Sequence, residues 1–211
     1  MTFEAVLSRL DARLARPLPG AAAQALMEPR PRRNWPEGFV PSRLRHAAGL
    51  LLIYPIGDRA HLVLTVRADT LRHGGQVSLP GGEAEPGETF PQAALREALE
   101  EVGLASEMVR VLGELTPLDI PVSGFRLHPV VGVAGERPRL TPAHGEVARI
   151  LEVSVSELLD PAHRVTIPIV RADRTAMAPA FRIGTTEIWG ATAMVLAEFL
   201  ALLESSVRSE T

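Results

Sequence analysis

Residues 89–104, TFPQAALREALEEVGL, specify one short helix and assign a task to each of its faces. Thr89 with Gln92 three residues on makes a capping box, Pro91 falls in the first turn, and Gly103 stands where a left-handed C-cap belongs. The spacing predicts a helix over 90–102. At about 3.6 residues per turn, Glu97, Glu100 and Glu101 share an arc of roughly 100°, while Leu95, Ala98, Leu99 and Val102 fall opposite. The apolar face is expected to pack and the acidic face to bind. Like charges at these spacings cost about 0.2–0.5 kcal/mol per pair in a bare helix. A charge run alone reads as a solvated face, but three carboxylates crowded just after a glycine-rich turn call for a divalent cation. Mg²⁺ is held by one or two carboxylates, waters and substrate phosphates, so the pattern points to phosphate-ester or diphosphate chemistry.

Extended back to residue 82, the stretch GEAEPGETFPQAALREALEEVGL resembles the signature of the Nudix hydrolase family. That signature has a glycine, five residues, a glutamate, seven residues, Arg-Glu, an aliphatic, any residue, Glu-Glu, any residue, a glycine and an aliphatic. The chain supplies Gly82, Glu88, Arg96, Glu97, Glu100, Glu101, Gly103 and Leu104 in register, with Ala98 as a small residue at the first aliphatic place. At roughly 7% usage per residue type, chance agreement at the fixed positions is of order 10⁻⁸ per start point. The resemblance implies an α/β (α+β) Nudix fold, a mixed sheet sandwiched between helices. It also implies Glu97 and Glu101 as ligands to Mg²⁺ or Mn²⁺, Glu100 as a further ligand or proton acceptor, and the backbone carbonyl of Gly81 completing the site. Arg96 and Glu88 are implied as the pair tying loop to helix, a task that suits a guanidinium with its fixed fork of donors.

Residues 62–82, LVLTVRADTLRHGGQVSLPGG, resemble the segment preceding the box in Nudix enzymes that cleave coenzyme A, through Leu64, Thr65, Arg67, Arg72, Gly75, Val77, Pro80, Gly81 and Gly82. Arg67 and Arg72 suit bidentate phosphate recognition, as of the 3′-phosphate and diphosphate of coenzyme A; Gln76 is a further candidate for substrate contact. Likeness to the same subgroup continues through 117–132 (PLDIPVSGFRLHPVVG), 145–164 (GEVARILEVSVSELLDPAHR) and 187–200 (EIWGATAMVLAEFL), so that it spans roughly residues 45–205. By resemblance, a glutamate outside the box approaches the metals, and Glu146 is the candidate. Glu146 or Glu100 is then the acceptor of the proton from the attacking water. The implied reaction is hydrolysis of coenzyme A or a derivative to 3′,5′-ADP and 4′-phosphopantetheine. A second reading keeps the chemistry and changes the substrate to ADP-ribose, NADH or another nucleoside diphosphate derivative. A third is a Nudix-fold regulatory module that binds without cleaving, against which the intact set of glutamates speaks.

Composition agrees with one compact enzyme domain: 211 residues, 46% of them apolar and 22% charged, can bury a sizeable core. A formal charge of −3 gives no general basic footprint for nucleic acid. The chain has no cysteine and no lysine, which removes disulfides, thiolates and a Schiff-base amine from consideration. No apolar run is long enough to span a membrane without charges, and a soluble, cytoplasmic protein is expected.

Residues 3–16 predict an amphipathic helix, and 17–43 a Pro, Ala and Arg-rich connection with Trp35 and Phe39 as anchors. The organisation expected is an extension over 1–45, which covers the sheet, forms a homodimer contact or shapes the pocket, followed by the Nudix domain over 46–205. Strands are predicted at 47–54, 61–67, 108–116, 127–134 and 147–153, with a turn at Gly57-Asp58. Ser154 and Glu157 form another capping box, opening a short helix before Pro161, and a last helix runs over 189–205. Histidines 46, 61, 73, 128, 144 and 163 lack metal-ligand spacing, and zinc is not expected. His73 is of interest for its place beside Arg72. Trp189, taken to begin the last helix, reads as core packing before base stacking. Phe125, in a Ser-Gly-Phe loop, is open to a role against adenine or pantetheine.

Overall fold

Alternation along one strand decides the layering. In a computed structural model, which describes residues 1–31, 34–35, 37–40, 44–68, 74–171 and 174–204, strand β1 (Arg45–Ile56) is the centre of an eight-stranded mixed sheet. Successive side chains on a strand point to opposite faces. Leu50, Leu52 and Tyr54 therefore bury on one side with helix α3 (Phe90–Val102), and Leu51 and Ile53 bury on the other. Both faces of the strand are covered, which explains its nearly unbroken apolar run.

β1 pairs antiparallel with β2 (Arg59–Arg67) beyond the Gly57-Asp58 turn, and its first half pairs with β4 (Gly81–Glu83). On its other edge β7 (Phe125–Val133) runs parallel, with Arg45 opposite Phe125 and Ala48 opposite His128. The sheet is completed by β3 (Val77–Ser78), β5 (Arg110–Glu114), β6 (Leu118–Ile120) and β8 (Val147–Ser154). The predicted strand at 108–116 is shorter than expected, because Ser106–Met108 forms a 3₁₀ turn before it.

Among the described residues, three helices cover the face opposite α3: α1 (Phe3–Leu14), α4 (Val155–Leu159) and the last helix, α5 (Ala191–Glu204). A fourth, α2 (Gly20–Gln24), packs on α5. Phe3, Val6, Leu10 and Met27 join the core cluster that holds Leu51, Ile53 and the apolar residues of α5. The N-terminal segment thus covers the sheet, one of the roles open to it. Both capping boxes form, at Thr89/Gln92 and Ser154/Glu157, and Gly103 adopts the left-handed conformation at φ 68°.

Sequence periodicity did not reveal β9 (Arg164–Arg171), β10 (Arg174–Ile183) and β11 (Thr186–Trp189), which form a separate antiparallel sheet. Trp189 consequently ends a strand instead of opening α5, with Gly190 between the two. Among the described residues no helix is long and apolar enough to cross a membrane.

Candidate active site

Helix α3 buries Ala93, Ala94, Ala98 and Val102, whereas Leu99 is 52% exposed. The packed arc is therefore turned from the one read off the sequence. Small alanines let the helix lie close to β1, and Leu99 at the edge of the arc is left outside. The acidic face survives this change. Glu97 is largely covered and Glu100 mostly exposed, with side-chain exposures of 18% and 56%.

One guanidinium organises that face. Arg96 Nε and Nη2 donate to the two oxygens of Glu88 at 2.8 and 3.1 Å, a bidentate pair. Its Nη1 donates to Glu97 Oε1 at 2.7 Å and lies 3.4 Å from Glu100 Oε2, and Nη2 also reaches the Glu83 carbonyl at 3.0 Å. These bonds hold the Glu88 carboxyl below its usual range, with help from the Glu85 amide, and push the guanidinium still higher. The pairing of Arg96 with Glu88 is the one the sequence resemblance implies.

The glycine turn closes in from the other side. A Cβ at Gly82 would stand 2.5–2.6 Å from the Glu97 carboxylate, so only glycine leaves that carboxylate its place. A Cβ at Gly81 would run into the backbone of Ala48 and Gly49 on β1. The Gly81 amide donates to Glu101 Oε2 at 3.1 Å, setting the Gly81 peptide against the second carboxylate. Burial raises the Glu101 carboxyl to about 7, against the pull of that amide, and the nearby charges of Glu97 and Glu146 push the same way. Arg67 acts on it in the opposite sense. Glu146 therefore stands within electrostatic range of Glu101, and the main chain shows why. Ala143 N donates to Glu101 O at 2.8 Å, fastening the 141–147 loop to α3, and Ala68 N donates to Glu146 O at 2.9 Å.

These residues fit a divalent ion of hard, oxygen-seeking character. Glu97, Glu100 and Glu101 offer oxygen donors along one helix, and a carboxyl raised by burial and by its acidic neighbours is one that a cation would stabilise in ionised form. Among the described residues, no three acidic or histidine side chains stand close enough together to hold an ion between them. Glu97 and Glu100 lean on Arg96, and Glu101 on the Gly81 amide. A small ion that keeps several waters and takes substrate phosphates needs no complete protein cage.

Beyond the glycines lies a cavity of about 950 Å³, whose lining includes Gly81, Gly82, Arg67, Gln76 and Phe125. Four of the sequence candidates thus meet a single space whose lining includes the two glycines that touch the carboxylates, while Arg72 and His73 lie outside the described residues. Phe125 opens β7 and is not part of a free loop; the Arg45 guanidinium stacks over its ring at 3.9 Å. Sequence reasoning missed Arg45, and also the contribution of Ala21, Gln24 and Glu28 to the wall. Trp189 packs against a small apolar cluster and lines the cavity as well. The histidines are less scattered than their spacing suggests. Parallel pairing of β1 with β7 brings His46 Nδ1 to 2.9 Å from His128 Nε2, and the His128 ring stacks on Phe90, the first residue of α3, at 3.4 Å. Burial pushes His128 down to about 4.

A mixed sheet between helices carries a braced acidic helix set against a glycine turn, and the same glycines line a large cavity. The chain belongs to the Nudix family: the NUDIX domain model matches residues 43–172. It is 34% identical over 163 residues to an uncharacterized Nudix hydrolase NudL of Pectobacterium atrosepticum, covering 76% of this chain and 84% of that protein. It is 38% identical over 154 residues to the NudL of Photorhabdus laumondii, covering 72% and 81%. Among solved structures, a MutT/nudix family protein from Enterococcus faecalis shares the fold with a TM-score of 0.51 at 17% identity, covering 80% of this chain and 64% of that one.

Proposed function

We propose that the protein is a divalent-metal-dependent pyrophosphohydrolase that cleaves the diphosphate linkage of coenzyme A or a derivative. The observation that carries this reading is the juxtaposition at Gly81–Gly82: braced carboxylates touch these glycines, which also line a cavity that joins Arg67 and Gln76 to apolar residues such as Leu79, Leu118 and Leu127. A lining that is part charged and part apolar suits a substrate that is part diphosphate and part extended, weakly polar arm.

Glu97 and Glu101 would hold the metal, with Glu100 and the Gly81 carbonyl as further donors. When bound, a divalent cation neutralises diphosphate charge and increases the acidity of the attacking water. Glu146, or Glu100, accepts the proton as the water oxygen bonds to phosphorus and the anhydride P–O bond breaks. Arg67 and Arg72 meet phosphate oxygens, and Arg96 keeps its glutamates from swinging away. The products are 3′,5′-ADP and 4′-phosphopantetheine, or its acylated form.

The test is incubation of the purified protein and of Glu101→Gln with Mg²⁺ or Mn²⁺ and coenzyme A, an acyl-coenzyme A, ADP-ribose, NADH and a diadenosine polyphosphate, with products identified by mass. Release of 3′,5′-ADP by the wild type alone supports the reading. Cleavage confined to the other substrates would keep the chemistry and overturn the specificity.

A further inference from the structure

Glu198 lies in the middle of the apolar run of α5 and is fully buried. A carboxyl group in such a place is costly unless its oxygens are met. Here both are. Oε1 accepts from Gly20 N at 3.1 Å, Thr116 N at 3.2 Å and Thr116 Oγ1 at 2.7 Å, and Oε2 accepts from Gln24 Nε2 at 2.8 Å. Gln24 Nε2 also donates to Thr116 O at 2.8 Å, closing a ring of hydrogen bonds. No arginine pairs with Glu198 among the ion pairs of the described residues.

The donors share a second property. Gln24 lines the large cavity, Gly20 precedes Ala21 of its wall, Thr116 precedes Pro117 and Leu118 of its wall, and Met194, one turn before Glu198 on α5, lines it too. Three separately contributed walls, from the N-terminal segment, the β5–β6 connection and α5, thus meet at one side chain. A leucine would fill the same space but would leave the Gly20 and Thr116 amides and the Gln24 side chain without this acceptor. What the carboxylate adds is a fixed geometry for segments that share no strand or helix.

We infer that Glu198 is a positioning residue of the substrate cavity: it fixes the N-terminal wall and the β5–β6 connection, and so governs how tightly the arm of the substrate is held, leaving the chemical step to α3. This rests on the reading of the cavity as the coenzyme A site. In Glu198→Gln the amide nitrogen would take the Oε2 side, where a single bond is lost, and would then face the Gln24 amide donor. Thr116→Val removes one donor without touching the cavity lining.

Steady-state kinetics on the full chain decide it. For coenzyme A, KM is expected to rise about tenfold in Glu198→Gln and less in Thr116→Val, with kcat within about twofold of wild type. The double variant should be no worse than Glu198→Gln, since both changes act through the same hub. An unchanged KM, or a kcat that falls in step with lost folded protein at constant KM, would overturn the inference while leaving coenzyme A cleavage by the wild type intact. Absence of wild-type cleavage of coenzyme A overturns the underlying reading, and the inference with it. Should Glu198→Gln fail to fold, the KM of Thr116→Val makes the same decision.

Discussion

The two long helices flanking β1 use the same residue type in opposite ways. On α3, Glu97 and Glu100 share one arginine, Glu101 leans on a backbone amide, and all three retain spare acceptor capacity; on α5, the single buried glutamate has its oxygens committed to neutral donors from the protein. A carboxylate with spare acceptor capacity beside a glycine turn can take a cation, and through the cation a phosphate. One that is fully committed can only hold structure in place. The difference is set less by the glutamate than by what approaches it, a guanidinium and a Cβ-free backbone in one case, amides and a hydroxyl in the other.

The sharpest way to break this comparison is through α3. Glu101→Gln should lower kcat/KM by more than 100-fold while the fold survives, whereas Arg96→Lys, which keeps the charge but loses the fork that bridges Glu88 and Glu97, should cost roughly 10- to 100-fold. Comparable losses from Glu198→Gln, in kcat instead of KM, would erase the division of labour between the helices. Steady-state rates with circular dichroism as a fold check settle the order of the three.

A smaller effect follows from the pKa of Glu101, which burial raises to about 7 from an ordinary 4.5. A metal ligand must be ionised, so the apparent affinity for Mg²⁺ should fall by up to about tenfold per pH unit below 7 and level off above it. The metal-free protein should behave in the reverse sense. A carboxyl whose folded value exceeds its unfolded one adds stability at low pH that is lost as pH rises through 7, so the metal-free melting temperature should decline between about pH 5 and pH 8 on this account. Added Mg²⁺ should offset that decline. Calorimetric titration and thermal melts of wild type and Glu101→Gln provide the check, the variant showing neither dependence.

How much of this was readable in the sequence tracks the range of the interactions. The ends of α3 and α4 were legible because a cap involves residues three apart: Thr89 with Gln92, Ser154 with Glu157, Gly103 after the last turn. The carboxylates and their arginine were legible for the same reason, and through the family resemblance. The hairpin of β9 and β10 was not. Pro168 and Pro179 interrupt its pattern, and Val170 and Met177 are apolar residues on its exposed side. The cavity wall was equally hidden, since it joins residues near 20–31, 117–127 and 189–194 that nothing local connects. One signal was present and unused. A lone glutamate in the apolar run AMVLAEFLALL has to find partners, because a helix apolar all round is a buried helix.

The burial phase of α3 is where the sequence reading and the structure part, and it yields the smallest and cleanest prediction. Helical spacing placed Ala98 and Leu99 together on the packed side; the structure encloses Ala98 completely and leaves Leu99 half exposed. Ala98→Leu should therefore overpack the space between α3 and β1 and cost about 1–3 kcal/mol in urea unfolding. Leu99→Gln should change stability by no more than about 0.5 kcal/mol. The reverse order would mean that α3 is rotated on the sheet. Such a rotation would also carry Glu97 away from Gly82, since its carboxylate has no room beside any other residue there, so the stability of these two variants reports on the geometry of the acidic face as directly as the kinetics do.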